Sequence, residues 1–126
     1  MMRAVWSNDG AEAFAGACSH LDLHGATADQ VEEFVSTLPM LTFYAGSEPI
    51  GALVLYDRSA HIGIVQKWRG RWLTRSVVAT LKDALTHADH ALIARNNTAA
   101  RAFAARLGWQ ERGEEDGYVR YTPALH

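Results

Sequence analysis

The sequence predicts an α/β fold, a mixed, mostly antiparallel sheet with helices on both faces, and three observations carry that expectation. The first is His61 to Ala84, which reads as a buried strand, a basic turn and an amphipathic helix. His61 to Gln66 is apolar and β-branched with Gly63 inside it. From Trp72 onward Leu73, Val77, Leu81, Ala84, Leu85 and Ala88 recur at the helical period. The second is a set of short apolar runs separated by turn residues before and after this stretch. The third is the resulting order, β-α-α-β-β-β-α-β-α-β-β, in which antiparallel hairpins flank a strand–helix–strand crossover. A length of 126 residues fits one domain spanning 1–126.

Taken in order, Arg3 to Trp6 is a short first strand. Ser7, Asn8 and Asp9 offer caps for a small-residue helix from about Gly10 to His20. Thr27 with Gln30 three residues on forms a capping box, and Val31, Phe34, Val35 and Leu38 make the apolar face of the second helix, which Pro39 stops. Leu41 to Ala45 and Ile50 to Tyr56 are strands joined through Gly46, Ser47, Glu48 and Pro49, and Asp57, Arg58 and Ser59 turn the chain into the His61 strand. His90 to Arg95 is a further buried strand. Asn97 to Leu107 is an alanine-rich helix closed by Gly108. Trp109 to Arg112 and Tyr118 to Tyr121 pair around Gly113 to Gly117 as a last hairpin.

Composition narrows the function. Hydrophobic content of 48%, charge of 21% and a net charge of −2 are ordinary for a globular domain and argue against a nucleic-acid partner, which favours a strongly basic face. One cysteine, Cys18, allows no intrachain disulfide and no cysteine-based zinc site, so a reducing, cytoplasmic setting is expected. No leader peptide is evident, and no apolar run approaches the ~20 residues that span a bilayer, so no membrane partner is expected.

Lys67, Arg69, Arg71 and Arg75 put four cations into nine residues where the strand meets the helix. Unsatisfied N–H groups at a helix start beside Arg69 and Gly70 are suited to a phosphate or pyrophosphate. The same residues also fit a solvated basic turn leading into a core helix.

This turn resembles the acyl-CoA-binding motif of the GNAT superfamily of N-acetyltransferases, Arg/Gln-x-x-Gly-x-Gly/Ala. The aligned residues are Arg69, Gly70, Arg71, Trp72, Leu73 and Thr74, with Trp72 and Thr74 at the two later small positions. Downstream, Asn97 to Trp109 is similar to the family's second signature, an Asn, an Ala three residues on, and a Leu-Gly-aromatic ending. The Arg-Gly-Arg-Trp turn after a His-x-x-Ile strand is also similar to GNAT-like proteins of tailed phages. The resemblance implies the GNAT fold and acetyl-CoA as co-substrate. Ile64, Val65 and Gln66 would contact pantetheine, Arg69 to Thr74 would wrap the pyrophosphate, and Asn97 would reach the cofactor. It further implies transfer of an acetyl group to a small amine or a protein amine. Core packing of Ile64 and Val65, and helix capping by Asn97, are compatible with those roles.

Such a transfer needs a base to take a proton from the amine and an acid for the departing thiolate. His61 is the first candidate base, because its ordinary pKa is near neutral and it begins the strand bordering the slot; Asp57 is the second. Where relatives place a thiolate-protonating tyrosine, seven residues after the motif Asn, this chain has Ala104, so Tyr118, Tyr121 or water takes that part. His20, Asp22 and His24 alternate along an extended segment as metal ligands can, but no fourth ligand is evident and a polar acceptor loop fits better. No metal is expected. The alternative to an enzyme is a GNAT-fold binding or structural module without catalysis, of the phage-encoded kind. The final strands offer an edge for a homodimer.

Overall fold

Strand β1 (Met2–Trp6), helices α1 (Ala11–Ala17) and α2 (Ala28–Val35), strands β2 (Met40–Ala45), β3 (Glu48–Tyr56) and β4 (Ser59–Ile64), helix α3 (Arg75–Leu85), strand β5 (His90–Ala94), helix α4 (Thr98–Arg106) and strands β6 (Gln110–Glu115) and β7 (Tyr118–Thr122) follow one another in the computed structural model, which describes residues 1–17 and 26–123. The element order is the one the sequence pattern implies. The strands form one sheet in the spatial order β1-β2-β3-β4-β5-β7-β6, antiparallel except where β4 meets β5.

Alternation along the strands decides what each face buries. Leu41, Phe43, Leu53, Ala60 and Ile64 point to one face, where Val77, Leu81, Ala84 and Leu85 of α3 close over them. Val119 and Tyr121 of β7 and Ala104 of α4 continue this layer toward the far edge. Met40, Ala52 and Val54 point the other way, under Ala11 and Phe14 of α1 and Val35 of α2. Each Val, Leu, Ile, Phe or Met side chain among these that is taken fully from water contributes about 1.5–3 kcal/mol, so the two layers, rather than helix propensity, hold the helices in place.

Several boundaries differ from the sequence expectation, each for a local reason. The side chains of Asn8 and Asp9 do not cap α1: Asn8 donates to the Ser36 carbonyl and Asp9 accepts from the Tyr44 hydroxyl at 2.6 Å, tying the β1–α1 turn to its neighbours. Helix α2 starts with the Thr27–Gln30 capping box but ends at Val35, before Pro39, because the Ser36 and Thr37 hydroxyls turn back onto the Glu33 and Phe34 carbonyls. Phe34, placed on the buried face from the pattern, is half-exposed and stacks edge-on to Tyr56. The β2–β3 turn is only Gly46-Ser47, with Glu48 already paired to Ala45. Strand β4 starts at Ser59 and stops at Ile64, so Gln66 lies in a 3-10 turn, Gln66–Trp68. Helix α3 begins at Arg75 behind a Thr74 cap, which leaves Trp72 and Leu73 outside the helix. The last hairpin turns on Asp116 and Gly117 alone, and Gly113, with a φ of 117°, sits in a bulge of β6.

That outer strand is exposed along its length, glutamate-rich and bulged, features that disfavour edge-to-edge pairing, the route by which the final strands would join two copies. Among the described residues no helix is long and apolar enough to cross a membrane.

Gly51 of β3 lies so close to β4 that an added Cβ would run into the Gly63 carbonyl and stand 2.9 Å from the Ile64 Cα. Gly51→Ala is therefore expected to cost at least about 1–3 kcal/mol as overpacking, read from the urea midpoint at unchanged m-value; a wild-type midpoint would show that β3 and β4 do not approach this closely.

Candidate active site

The site begins with a strand that loses one neighbour. Strand β4 pairs with β3 from Ser59 to Ile64, and Val65 N–H continues the ladder onto the Ile50 carbonyl at 2.9 Å. Against β5, however, only Ser59↔His90 and Ala60↔Ala91 are paired, although both strands run on. The two strands therefore diverge toward Ile64 and Ala94. Because Val65 points its backbone at β3, alternation turns the N–H and C=O of Ile62 and Ile64 toward the open side. The opening also shows in the side chains. Ile62 is 40% exposed in mid-strand, and β5, a central strand, has no fully buried residue. Neither signal was readable from composition or periodicity, which assigned both strands to the core.

The chain leaves β4 directly into the basic turn. Arg69 Nε donates to the Ile64 carbonyl at 3.0 Å and its Nη2 reaches the Ala17 carbonyl at 3.5 Å, so this guanidinium closes the end of the open strand edge and joins it to α1. Arg71 donates to the Lys67 carbonyl and lies over the Trp68 ring at 4.9 Å. Gly70 takes a φ of 83°, a conformation glycine adopts without strain. Thr74 accepts from Val77 N–H at the start of α3, five residues beyond Arg69. Trp72 turns inward, its ring 4.8 Å from Phe43 and 6.4 Å from Phe103, so it joins the core between the sheet and α4. Leu73 packs on the same core. Trp68 Nε1 is buried without an acceptor among the described residues.

Two predicted catalytic residues share a sheet face. Ala60 and Ile64 pack under α3, which sends His61 to the α1 side with Gly63. Val119 and Tyr121 pack with Ala104 of α4, which sends Tyr118 and Arg120 to that same α1 side. Tyr121 is thereby excluded as the acid: it is buried, and its hydroxyl accepts from Arg101 at 3.1 Å. Asp57 is misplaced for the part of base, because it sits in the β3–β4 turn with a φ of 49°, at the closed end of β4. Asn97 caps α4 through its Oδ1, which accepts from Ala100 N–H. Ala104 is buried against Val119 and Tyr121. Ile64 is buried, Val65 half-buried and Gln66 exposed, in order along the rim. His20, Asp22 and His24 lie outside the described residues. A groove of about 550 Å³ lined by Trp6, Leu38, Pro39, Leu55, Asp57, Arg58 and His87 sits at the closed end of β4, away from this chemistry.

A seven-stranded, mostly antiparallel sheet whose one parallel pair opens beside a strand-to-helix turn defines the GNAT fold. Solved structures bear this out. The chain matches PH1933 from Pyrococcus horikoshii OT3 with a TM-score of 0.71 at 14% identity, over 100% of this chain and 99% of that one. It matches the PaiA N-acetyltransferase from Thermoplasma acidophilum, a complex with coenzyme A, with a TM-score of 0.63 at 9% identity over 99% of both. It matches YncA from Salmonella typhimurium, which carries acetyl-CoA, with a TM-score of 0.66 at 15% identity over 96% of this chain and 90% of that one. No family model and no curated protein sequence matches the chain.

Burial, and secondarily the neighbouring His90, push the His61 imidazole below its ordinary pKa of 6.5. The folded chain thus holds a neutral ring where an unfolded chain already carries a proton. That contribution is fully present above about pH 6.5 and is lost as pH falls through the depressed folded value. His61→Gln is expected to flatten the fall in urea midpoint between about pH 7 and pH 5; a variant as acid-sensitive as the wild type would assign that loss elsewhere.

Proposed function

We propose that this chain is an acetyl-CoA-dependent N-acetyltransferase acting in the cytoplasm as a single domain. The divergence of β4 from β5 after two residue pairs carries the reading, because it leaves a backbone edge and an exposed Ile62 beside a cationic turn. An apolar wall and free peptide groups suit a pantetheine arm. The Arg69-Gly70-Arg71 turn and the start of α3 suit its phosphates. Ile64, Val65, Gln66, Arg69 to Thr74 and Asn97 are the residues assigned to that ligand. Of these, Arg71 has the most freedom to turn outward, since Arg69 is held by the Ile64 carbonyl and Trp72 by the core. Acetyl-CoA supplies an activated acyl group.

The acceptor nitrogen attacks the thioester carbonyl carbon. A C–N bond forms, and the C–S bond breaks with its electron pair leaving on sulfur. Neutral His61 takes the proton lost by nitrogen, directly or through a water, and Tyr118 or a water protonates the sulfur. An N–H on the open edge of β4, at Ile62 or Ile64, faces the carbonyl oxygen as negative charge develops there. The products are an amide and a free thiol.

One observation favours a second reading, a GNAT-fold module without catalysis, of the phage-encoded kind. Trp72 replaces a small residue of the family motif and its ring is packed between Phe43 and Phe103, where it narrows the space beside the turn.

Calorimetric titration with acetyl-CoA and with free CoA separates the two. Micromolar binding is expected, weakened about tenfold or more by Arg71→Ala, whose guanidinium makes no tertiary contact that the fold depends on. His61→Gln is expected to leave that affinity intact and to lower kcat by about 10²–10⁴. No binding up to millimolar acetyl-CoA would leave only the non-catalytic module.

A further inference from the structure

The register of the sheet sets out a row across the face that carries His61. Ser59 pairs with His90, so His61 stands at the level of Leu92, and Leu92 pairs with Arg120. His61, Leu92 and Arg120 thus occupy three successive strands on the α1 side, two strand spacings apart from end to end. That is about 10 Å in a regular sheet, and more here because β4 has left β5. Helix α1 packs over β3 and β4, and among the described residues the β5–β7–β6 part of this face carries half-buried or exposed side chains. Tyr118 lies on the same face two residues before Arg120, and Arg112 stands beside them, held on the Thr122 hydroxyl at 3.1 Å and on Gln110. Glu115 is opposite Tyr118, while Glu111 and Glu114 pair with Tyr121 and Val119 on either side of Arg120.

Among the described residues three arginines, Arg75 on α3, Arg106 on α4 and Arg120 on β7, are exposed without a side-chain partner, and of these only Arg120 is on the sheet face that carries His61. Arg3 lies over the Tyr44 ring, Arg58 pairs with Asp89 and Arg95 with Glu114, Arg69 and Arg71 hold backbone carbonyls, Arg101 binds Glu111 and Tyr121, and Arg112 binds Thr122. Arg120 is exposed and has no partner among the described residues, although Glu114 and Glu115 are only a strand away. A guanidinium left free on the open side of a site, at the level of its base, is a receptor for a carboxylate or phosphate.

We propose that Arg120 binds the acceptor, and that the acceptor is a small amine carrying an anionic group within reach of that side chain while its nitrogen sits at His61. The proposal rests on the acyltransferase reading above. The nitrogen loses its proton to His61 as the C–N bond forms, and the anionic group takes no part in bond making. Tyr118 shares the strand of Arg120 and stands two residues along it, opposite Ala94, on the side toward which β4 and β5 part.

The test uses amines in matched pairs that differ by one anionic group: tyrosine against tyramine, lysine against cadaverine, and O-phosphoethanolamine against ethanolamine. Thiol release from acetyl-CoA gives kcat/KM for each, and calorimetry gives acetyl-CoA affinity for the same preparations. In the wild type the anionic member of at least one pair is expected to be preferred about tenfold or more, the size of one charge-assisted hydrogen bond. That ratio should collapse in Arg120→Ala and return in part in Arg120→Lys, with acetyl-CoA affinity and the urea midpoint unchanged, since the side chain is exposed. Equal use of both members, no use of any anionic member, or a ratio that survives Arg120→Ala overturns the proposal while acetyl-CoA binding keeps the acyltransferase reading. Failure of the wild type to bind acetyl-CoA removes that reading and the proposal with it.

Discussion

Everything proposed for this molecule hangs on the ladder between β3 and β4. Beyond Ala60, β4 is held on one side only, so its pairing with β3 keeps the open edge straight and delivers the chain into the basic turn. Glycines at positions 51 and 63 let that ladder sit tightly. Gly51 approaches β4 too closely for a side chain, and Gly63 lies against Phe14 of α1 at a distance that a Cβ would make 3.1 Å. The Arg69 guanidinium then occupies the last free carbonyl of the edge, which would otherwise be an unpaired acceptor beside a half-buried turn. The arrangement is economical: one strand supplies the wall, the peptide donors and the base.

The two sheet faces divide the labour. The face under α3 and α4 is a sealed apolar layer with Leu41, Phe43, Leu53, Val77, Leu81 and Val119 withdrawn from water. Among the described residues the face under α1 is sealed over β2 to β4, and beyond it carries His90, Leu92, Tyr118 and Arg120. A fold can leave half of one face polar because the other supplies most of the burial. The desolvation of His61, at the border between the two zones, follows from that position and keeps its ring neutral where a base is wanted.

Much of this was legible in the residues. The order of strands and helices followed from hydrophobic period, and the Thr27 capping box and the Gly108 stop lay where the pattern put them. What failed was local. Trp72 and Leu73 continue the apolar period of α3 and so imply a helix one turn longer than the one that forms, although Thr74 three residues before Val77 is a capping signal in its own right. Asn8 and Asp9 look like caps because their side chains reach backbone groups equally well across a turn, and only the tertiary fold decides which. The site was harder. No periodicity says that two apolar strands will part, so Ile62 was hidden among core residues. Arg120 was within reach, since alternation in Tyr-Val-Arg-Tyr-Thr already places it on the face of Tyr118, but its alignment with His61 needs the register of three strands.

The two residue pairs that join β4 to β5 also make the middle of this sheet its thinnest seam. On the N-terminal side of the seam lie β1 to β4, and on the other β5, β7 and β6 under α4, joined by α3 and the layer beneath it. Local opening follows the path with the fewest bonds to break. The width of the slot is therefore set less by ladder hydrogen bonds than by the apolar layer under α3, which spans both sides of the seam.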